Sequence, residues 1–146
     1  MKLISHRGNI NGIHPIYENR PEYINSAINS GYDVEIDVWR INGDLYLGHD
    51  APTYPINQNY LMNNRLLCHA KNSNSLSFML KFREIHCFWH QEDTYTLTSR
   101  AIPVVYPNCE PIENSIVMVR EIQTYFELLR NDRIYGICFD QFEDLV

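Results

Sequence analysis

Residues 34–39 read Val-Glu-Ile-Asp-Val-Trp, and the fold follows from how this hexapeptide is taken. Val34, Ile36 and Val38 alternate with Glu35 and Asp37, which is the period of a strand, so the two acids leave one face together. Similar short apolar runs lie on either side: Leu3–Ser5, Leu66–Ala70, Ile85–Trp89, Ile102–Tyr106, Ile116–Val119, Ile134–Phe139 and a weaker one at Tyr95–Thr98. Leu45–Leu47, behind Asn42-Gly43-Asp44, reads as the return arm of a hairpin with a tight Asn-Gly turn.

Helical patterns separate some of these runs. Pro21–Ser30 has Asn19 as a candidate N-cap and Gly31 as its stop. Ser73–Phe82 sets Leu76, Met79 and Leu80 on one face, and Arg120–Arg130 does the same with Ile122, Phe126 and Leu129. Strands alternating with helices imply a mostly parallel sheet. Eight strands outside the hairpin predict a compact α/β fold, a (β/α)8 barrel of the TIM type. Such barrels usually take about 250 residues, so in a chain of 146 several outer helices must be shortened or missing, with loops in their place between His90 and Ser115. An open α/β sheet is the competing architecture. No repeat, linker or low-complexity segment divides the chain, so residues 1–146 form one domain.

Composition narrows the function. A hydrophobic fraction of 45% supports a real core, and a net charge of -6 without a basic stripe argues against a nucleic-acid polymer while leaving room for a small anionic substrate. The longest apolar runs, such as Ile116–Val119, fall far short of the roughly 18 residues of a membrane span. The first residues lack the apolar core of a secretion signal, which makes a cytoplasmic location the default expectation. Cys68, Cys87, Cys109 and Cys138 form no C-x-x-C pair and read as reduced core residues.

Polar groups gather where the early strands end: His6-Arg7-Gly8, Glu18-Asn19, Glu35-x-Asp37 and Gly48-His49-Asp50. Parallel α/β folds place active sites at strand C-termini. Two adjacent carboxylates repel, and burying both requires a proton or a cation between them, with oxygen ligands favouring Mg²⁺, Mn²⁺ or Ca²⁺. The same spacing also suits a strand with a solvated acidic face. Imidazole as a group exchanges protons near neutral pH, so two histidines such as His6 and His49 can serve as base and acid, although either alone suits a structural role. Arg7 offers a permanently charged fork for phosphate oxygens. Phe88–Asp93 lines a pocket or, equally, pairs a core Trp89 with a solvated loop; Tyr106 and Glu121 lie within reach of the strand ends, and His14 and His86 read as structural.

In order and spacing, His6-Arg7-Gly8, Glu18-Asn19-Arg20-Pro21, Glu35-Ile36-Asp37-Val38 and Leu47-Gly48-His49-Asp50 resemble the glycerophosphodiester phosphodiesterase family, within the barrel phosphodiesterases related to phosphatidylinositol-specific phospholipase C. The resemblance covers the first 50 residues and thins beyond them, except that Gly136–Asp140 looks like the family's closing strand. It implies hydrolysis of a small phosphodiester through a cyclic phosphate, with His6 and His49 moving protons and a divalent cation, Mg²⁺ or Ca²⁺ first, on Glu35 and Asp37. The family's third ligand sits in a Glu-x-Lys pattern whose counterpart is His69-Ala70-Lys71, a departure. His69 then turns the preference toward Mn²⁺ or Zn²⁺ or stands outside the ligand set. Arg7 and Lys71 would bind phosphate, Glu18 would orient Arg7 or His6, and Asn19 and Trp89 would support the site. A lyase variant that stops at the cyclic phosphate and a catalytically weak phosphodiester-binding module are the alternatives. Outer strand faces left bare by missing helices predict self-association.

Overall fold

The longest strand is the one that carries the two acids, and it organises its neighbours. A computed structural model describes residues 1–144. In chain order it contains β1 (Lys2–His6), α1 (Pro21–Asn29), β2 (Asp33–Ile41), β3 (Asp44–Leu47), β4 (Tyr54–Ile56), α2 (Gln58–Leu61), β5 (Leu66–Ala70), α3 (Ser73–Met79), β6 (Cys87–Trp89), β7 (Tyr95–Leu97), β8 (Pro103–Val105), β9 (Ile116–Met118), α4 (Ile122–Leu128) and β10 (Gly136–Phe139). β2 lies between β1 and β5, parallel to both, and its far end pairs antiparallel with β3. Register alone then sets His6 beside Glu35 and His69 beside Asp37.

The expected (β/α)8 barrel is not what forms. The architecture is a mixed sheet of ten strands with four short helices. β6, β5, β2, β1, β10, β9 and β8 run parallel, β3 and β4 fold back beside β2, and β7 is antiparallel to β8. A barrel of eight βα units needs a helical crossover after every strand, and two tight reversals remove that possibility here. Asn42 and Gly43, at φ 50 and 87, turn β2 straight into β3, and a turn with Ala101 at φ 57 reverses β7 into β8. The sheet curls until an antiparallel bridge joins Phe88 of β6 to Thr98 beyond β7, and the Ser99 amide donates to the Cys87 carbonyl.

Alternation along the parallel strands builds the inside of the curl in layers. Ile4, Leu67, Val104, Ile116 and Cys138 pack as a buried apolar floor with Phe88. Two residues further along their strands stand His6, His69, Tyr106 and Asp140, so side chains of the same face turn polar one step above the floor. Outside, α1 and α3 cover β2 and β5 through Ile24, Ala27 and Met79 against Val34, Ile36 and Cys68. α4 covers β9 and β10 through Tyr125 and Leu128 against Val117 and Ile137.

Several local expectations change. On α4 the buried face is Tyr125 and Leu128, whereas Ile122, Phe126 and Leu129 are partly open to solvent. Leu80 follows the end of α3 and is exposed. Arg20, not Asn19, is the N-cap of α1; Pro21 supplies the pre-set first turn, and Gly31, at φ 100, ends the helix as expected. β4 and α2 were not foreseen. All four cysteines are free, but Cys109 is only half-buried. Among the described residues no helix is long and apolar enough to cross a membrane.

Gly48 marks the tightest backbone approach near the site. A Cβ there would drive into the Ala51 carbonyl, at a φ of 152 that other residues rarely adopt. Gly48→Ala is therefore expected to cost about 1–3 kcal/mol in urea unfolding. A loss below about 0.5 kcal/mol, the size of an ordinary surface change, would reject this reading of the turn.

Candidate active site

The site is assembled by the turn that follows β1. Arg7 and Gly8 take left-handed conformations, at φ 56 and 95. For an arginine this is an uncommon state that the surroundings must hold in place. The Arg7 amide donates to the Glu35 carbonyl, the Asn9 amide to the His6 carbonyl, and the Asn19 amide to the Arg7 carbonyl. The guanidinium is thereby directed at carboxylates: Nη1 donates to Glu18 Oε2 at 3.2 Å, and Nε lies 3.1 Å from Asp37 Oδ2, an ion contact without hydrogen-bond alignment. Arg7 thus holds two carboxylates and at the same time borders the cleft described below. Glu18 orients Arg7, one of its two expected roles.

Glu35 and Asp37 are each only 1% exposed, and their surroundings separate them. Burial by itself would raise the Asp37 carboxyl, but a hydrogen bond to His69, the Arg7 charge and a hydrogen bond from Asn19 together hold it far below the ordinary carboxylate range. Asn19, at φ 62, grips it twice: Nδ2 donates to Oδ2 at 2.8 Å, and the Asp37 amide donates to Oδ1 of Asn19 at 2.9 Å. Glu35 has no such partners. Burial and then the Asp37 charge push its carboxyl upward, and its Oε2 is buried without a hydrogen bond.

His69 completes the group. Its Nε2 lies 3.1 Å from the His90 carbonyl oxygen, which can only accept, so Nε2 carries a hydrogen and Nδ1 faces Asp37 at 3.1 Å and Glu35 at 3.8 Å. A histidine ligand held by a backbone carbonyl on its other nitrogen is a common arrangement around metals. Burial pulls the His69 pKa down, but the hydrogen bond to Asp37 and the Glu35 charge raise it overall. The donor atoms of Glu35, Asp37 and His69 lie within 4.8 Å of one another. The orphaned Glu35 oxygen and the orientation of Nδ1 fit a divalent cation, and two carboxylates with one imidazole suit Mn²⁺ or Zn²⁺ as well as Mg²⁺. Lys71 Nζ, 3.9 Å from Asp37, stands beside this group.

His6 forms a dyad that the sequence did not reveal. Its Nδ1 donates to Asp140 Oδ1 at 2.9 Å, while Nε2 lies 3.8 Å from Glu35 Oε2. Burial lowers the His6 pKa, yet the Asp140 hydrogen bond and the Glu35 charge raise it on balance. Asn9, fully buried, donates from Nδ2 to both Asp140 and Glu18, at 2.7 and 2.8 Å, and ties the dyad to the Arg7 turn. His49 sits in the turn after β3, half-open to solvent, with Nδ1 2.7 Å from Asp50.

His6, His49, Glu35, His69, Lys71 and Trp89 all border one cleft of about 760 Å³. Asp37, Glu18 and Asn19 stand behind it as support. Arg7 lines it too, as do Asp140, His90, Tyr106 and Arg120, to which the sequence motifs assign no role. The signal that could have found Asp140 is its position two residues beyond Cys138 on the same strand face, and for Asn9 its place directly after the His-Arg-Gly turn. No protein-family model matches the chain, and no curated protein or solved structure matches it at a significant level.

A cation on this group must displace the His69 proton, so a raised imidazole pKa makes protons stronger competitors and weakens binding as pH falls. Titration calorimetry with Mn²⁺ or Zn²⁺ is expected to show weaker binding and more proton release at about pH 6 than at about pH 8. In thermal melts the ion should raise Tm, with reversal by EDTA, and Glu35→Gln should abolish the shift. A full shift in that variant would remove Glu35 from the site.

Proposed function

We propose that the chain is a metal-dependent phosphodiester hydrolase acting on glycerophosphodiesters or related small phosphodiesters, similar to the glycerophosphodiester phosphodiesterases. The observation that carries this reading is one cleft bordered by two histidines, His6 and His49, above the buried group Glu35, Asp37 and His69. Simple phosphate binding does not require two proton-transfer groups.

A divalent cation held by Glu35, Asp37 and His69 would supply Lewis acidity at a phosphoryl oxygen and at the substrate hydroxyl. One of His6 and His49 takes the proton from the glycerol hydroxyl next to the diester as that oxygen attacks phosphorus, and the other gives a proton to the departing alkoxide. In the second step water opens the cyclic phosphate, and the two imidazoles exchange roles. Asp140 holds the His6 ring with Nε2 toward the cleft. Lys71 faces the phosphoryl oxygens. Arg7, which also borders the cleft, binds a phosphoryl oxygen beside Lys71 and keeps Asp37 ionised. The partner required is a small anion, and four free thiols suit a reducing compartment such as the cytoplasm.

Phosphorus NMR with a panel of glycerophosphodiesters tests the reading. Monoester signals that vanish with EDTA and return with Mn²⁺, Zn²⁺, Mg²⁺ or Ca²⁺ are the expected result; a cyclic phosphate that persists would make the protein a lyase, and intact substrates with every ion would make it a binding module. His6→Ala and His49→Ala should each lower the rate about 10²-fold or more. Near-wild-type turnover in either would end that residue's proton-transfer role.

A further inference from the structure

The outer part of the cleft contains a cation that the reaction does not use. Arg120 lies two residues beyond β9, is exposed, borders the cleft, and has no ion pair or side-chain hydrogen bond among the described residues. Its charge is in excess of what the chemistry consumes. Around the metal position the permanent charges cancel, with Arg7, Lys71 and a divalent cation set against Glu18, Glu35, Asp37 and Asp140. The imidazolium that must donate a proton to the leaving group matches the single charge of a phosphodiester. Arg120 is left over, in a protein whose net charge of -6 would otherwise repel anions.

Space points the same way. At about 760 Å³ the cleft lies in the upper part of the range that holds drug-sized ligands. Beyond His69 its wall is aromatic: the His90 and Tyr106 rings stack with centroids 3.3 Å apart and planes within 8°, and Trp89 also lines the cleft. The glycerol half of the substrate must place its hydroxyl at the Glu35, Asp37 and His69 group, so the alcohol half extends along this wall.

We infer that Arg120 binds a second anionic group carried by the leaving alcohol, so that the substrates are glycerophosphodiesters whose head group is itself acidic. The substrate class rests on the phosphodiesterase reading. The chemistry required is an oxyanion able to accept two parallel bonds from the guanidinium, a phosphate or a carboxylate.

The test compares kcat/KM for three diesters of glycerol phosphate, with glycerol, glycerol phosphate or glycerate as the head group, on the Mn²⁺-loaded enzyme. The two acidic head groups are expected to exceed the neutral one about tenfold or more, the worth of one charge-assisted contact. Whichever acidic arm is larger names the group. In Arg120→Ala that preference should fall to about one, and Arg120→Lys should retain most of the phosphate preference. A neutral diester turned over as well as the acidic ones, or a preference that survives Arg120→Ala, overturns the inference while leaving the hydrolase standing. If no diester reacts, the hydrolase reading falls, and calorimetry with glycerol bisphosphate decides the subsite separately: affinity about tenfold weaker in Arg120→Ala supports it, and unchanged affinity overturns it.

Discussion

Two carboxylates buried side by side on one strand are the constraint around which this molecule is arranged. Glu35 and Asp37 share a face of β2 and are both shut off from water, a placement that costs several kcal/mol per uncompensated ion. The neighbouring strands answer the two charges differently. Asp37 receives Asn19, Arg7 and His69 and remains ionised. Glu35 receives His6 and His69 only at 3.8 Å, and one of its oxygens has no hydrogen bond. The asymmetry leaves one carboxylate anchored and the other with a buried oxygen that has no hydrogen-bond partner.

The Arg7–Asn9 turn is the device that makes the compensation possible. It forces an arginine into a left-handed conformation, returns the chain so that Asn9 can reach Glu18 and Asp140, and leaves His6 at the strand end with one nitrogen bound and one free. Because Asn9 reaches Asp140, 131 residues further along the chain, the residues that follow β1 and β10 are locked in the same network that positions the histidine. Fold and site share these contacts.

Much of this was readable from residue order. The alternation in Val34–Trp39 showed that two acids share a face; Asn42-Gly43 announced a hairpin; Pro21 and Gly31 bracketed a helix; and the short polar motifs selected His6, Arg7, Glu35, His49, His69, Lys71 and Trp89 among the residues that meet in the cleft. Such features depend on local chemistry, where side-chain period and backbone preference act over a few residues. Counting strands failed for the same reason. Tyr95–Leu97 has the composition of any short strand, and nothing within it records that a turn at Ala101 will make it run antiparallel to β8. On α4 two apolar faces compete, and the choice of Tyr125 over Phe126 belongs to the surface of β10.

The sequence by itself determined which side chains were available for chemistry, that the acids sit two apart on a strand, and that short apolar strands recur along the chain. Only the tertiary structure decided that Arg7 pairs with Glu18 and Asp37, that Asp140 belongs to His6, that His69 is held by the His90 carbonyl, and that the strands close as a mixed sheet. These outcomes are pairings between residues 11 to 134 positions apart. They depend on parallel register and on how the sheet curls, and both are properties of the packed whole, where burial makes each polar group find a partner.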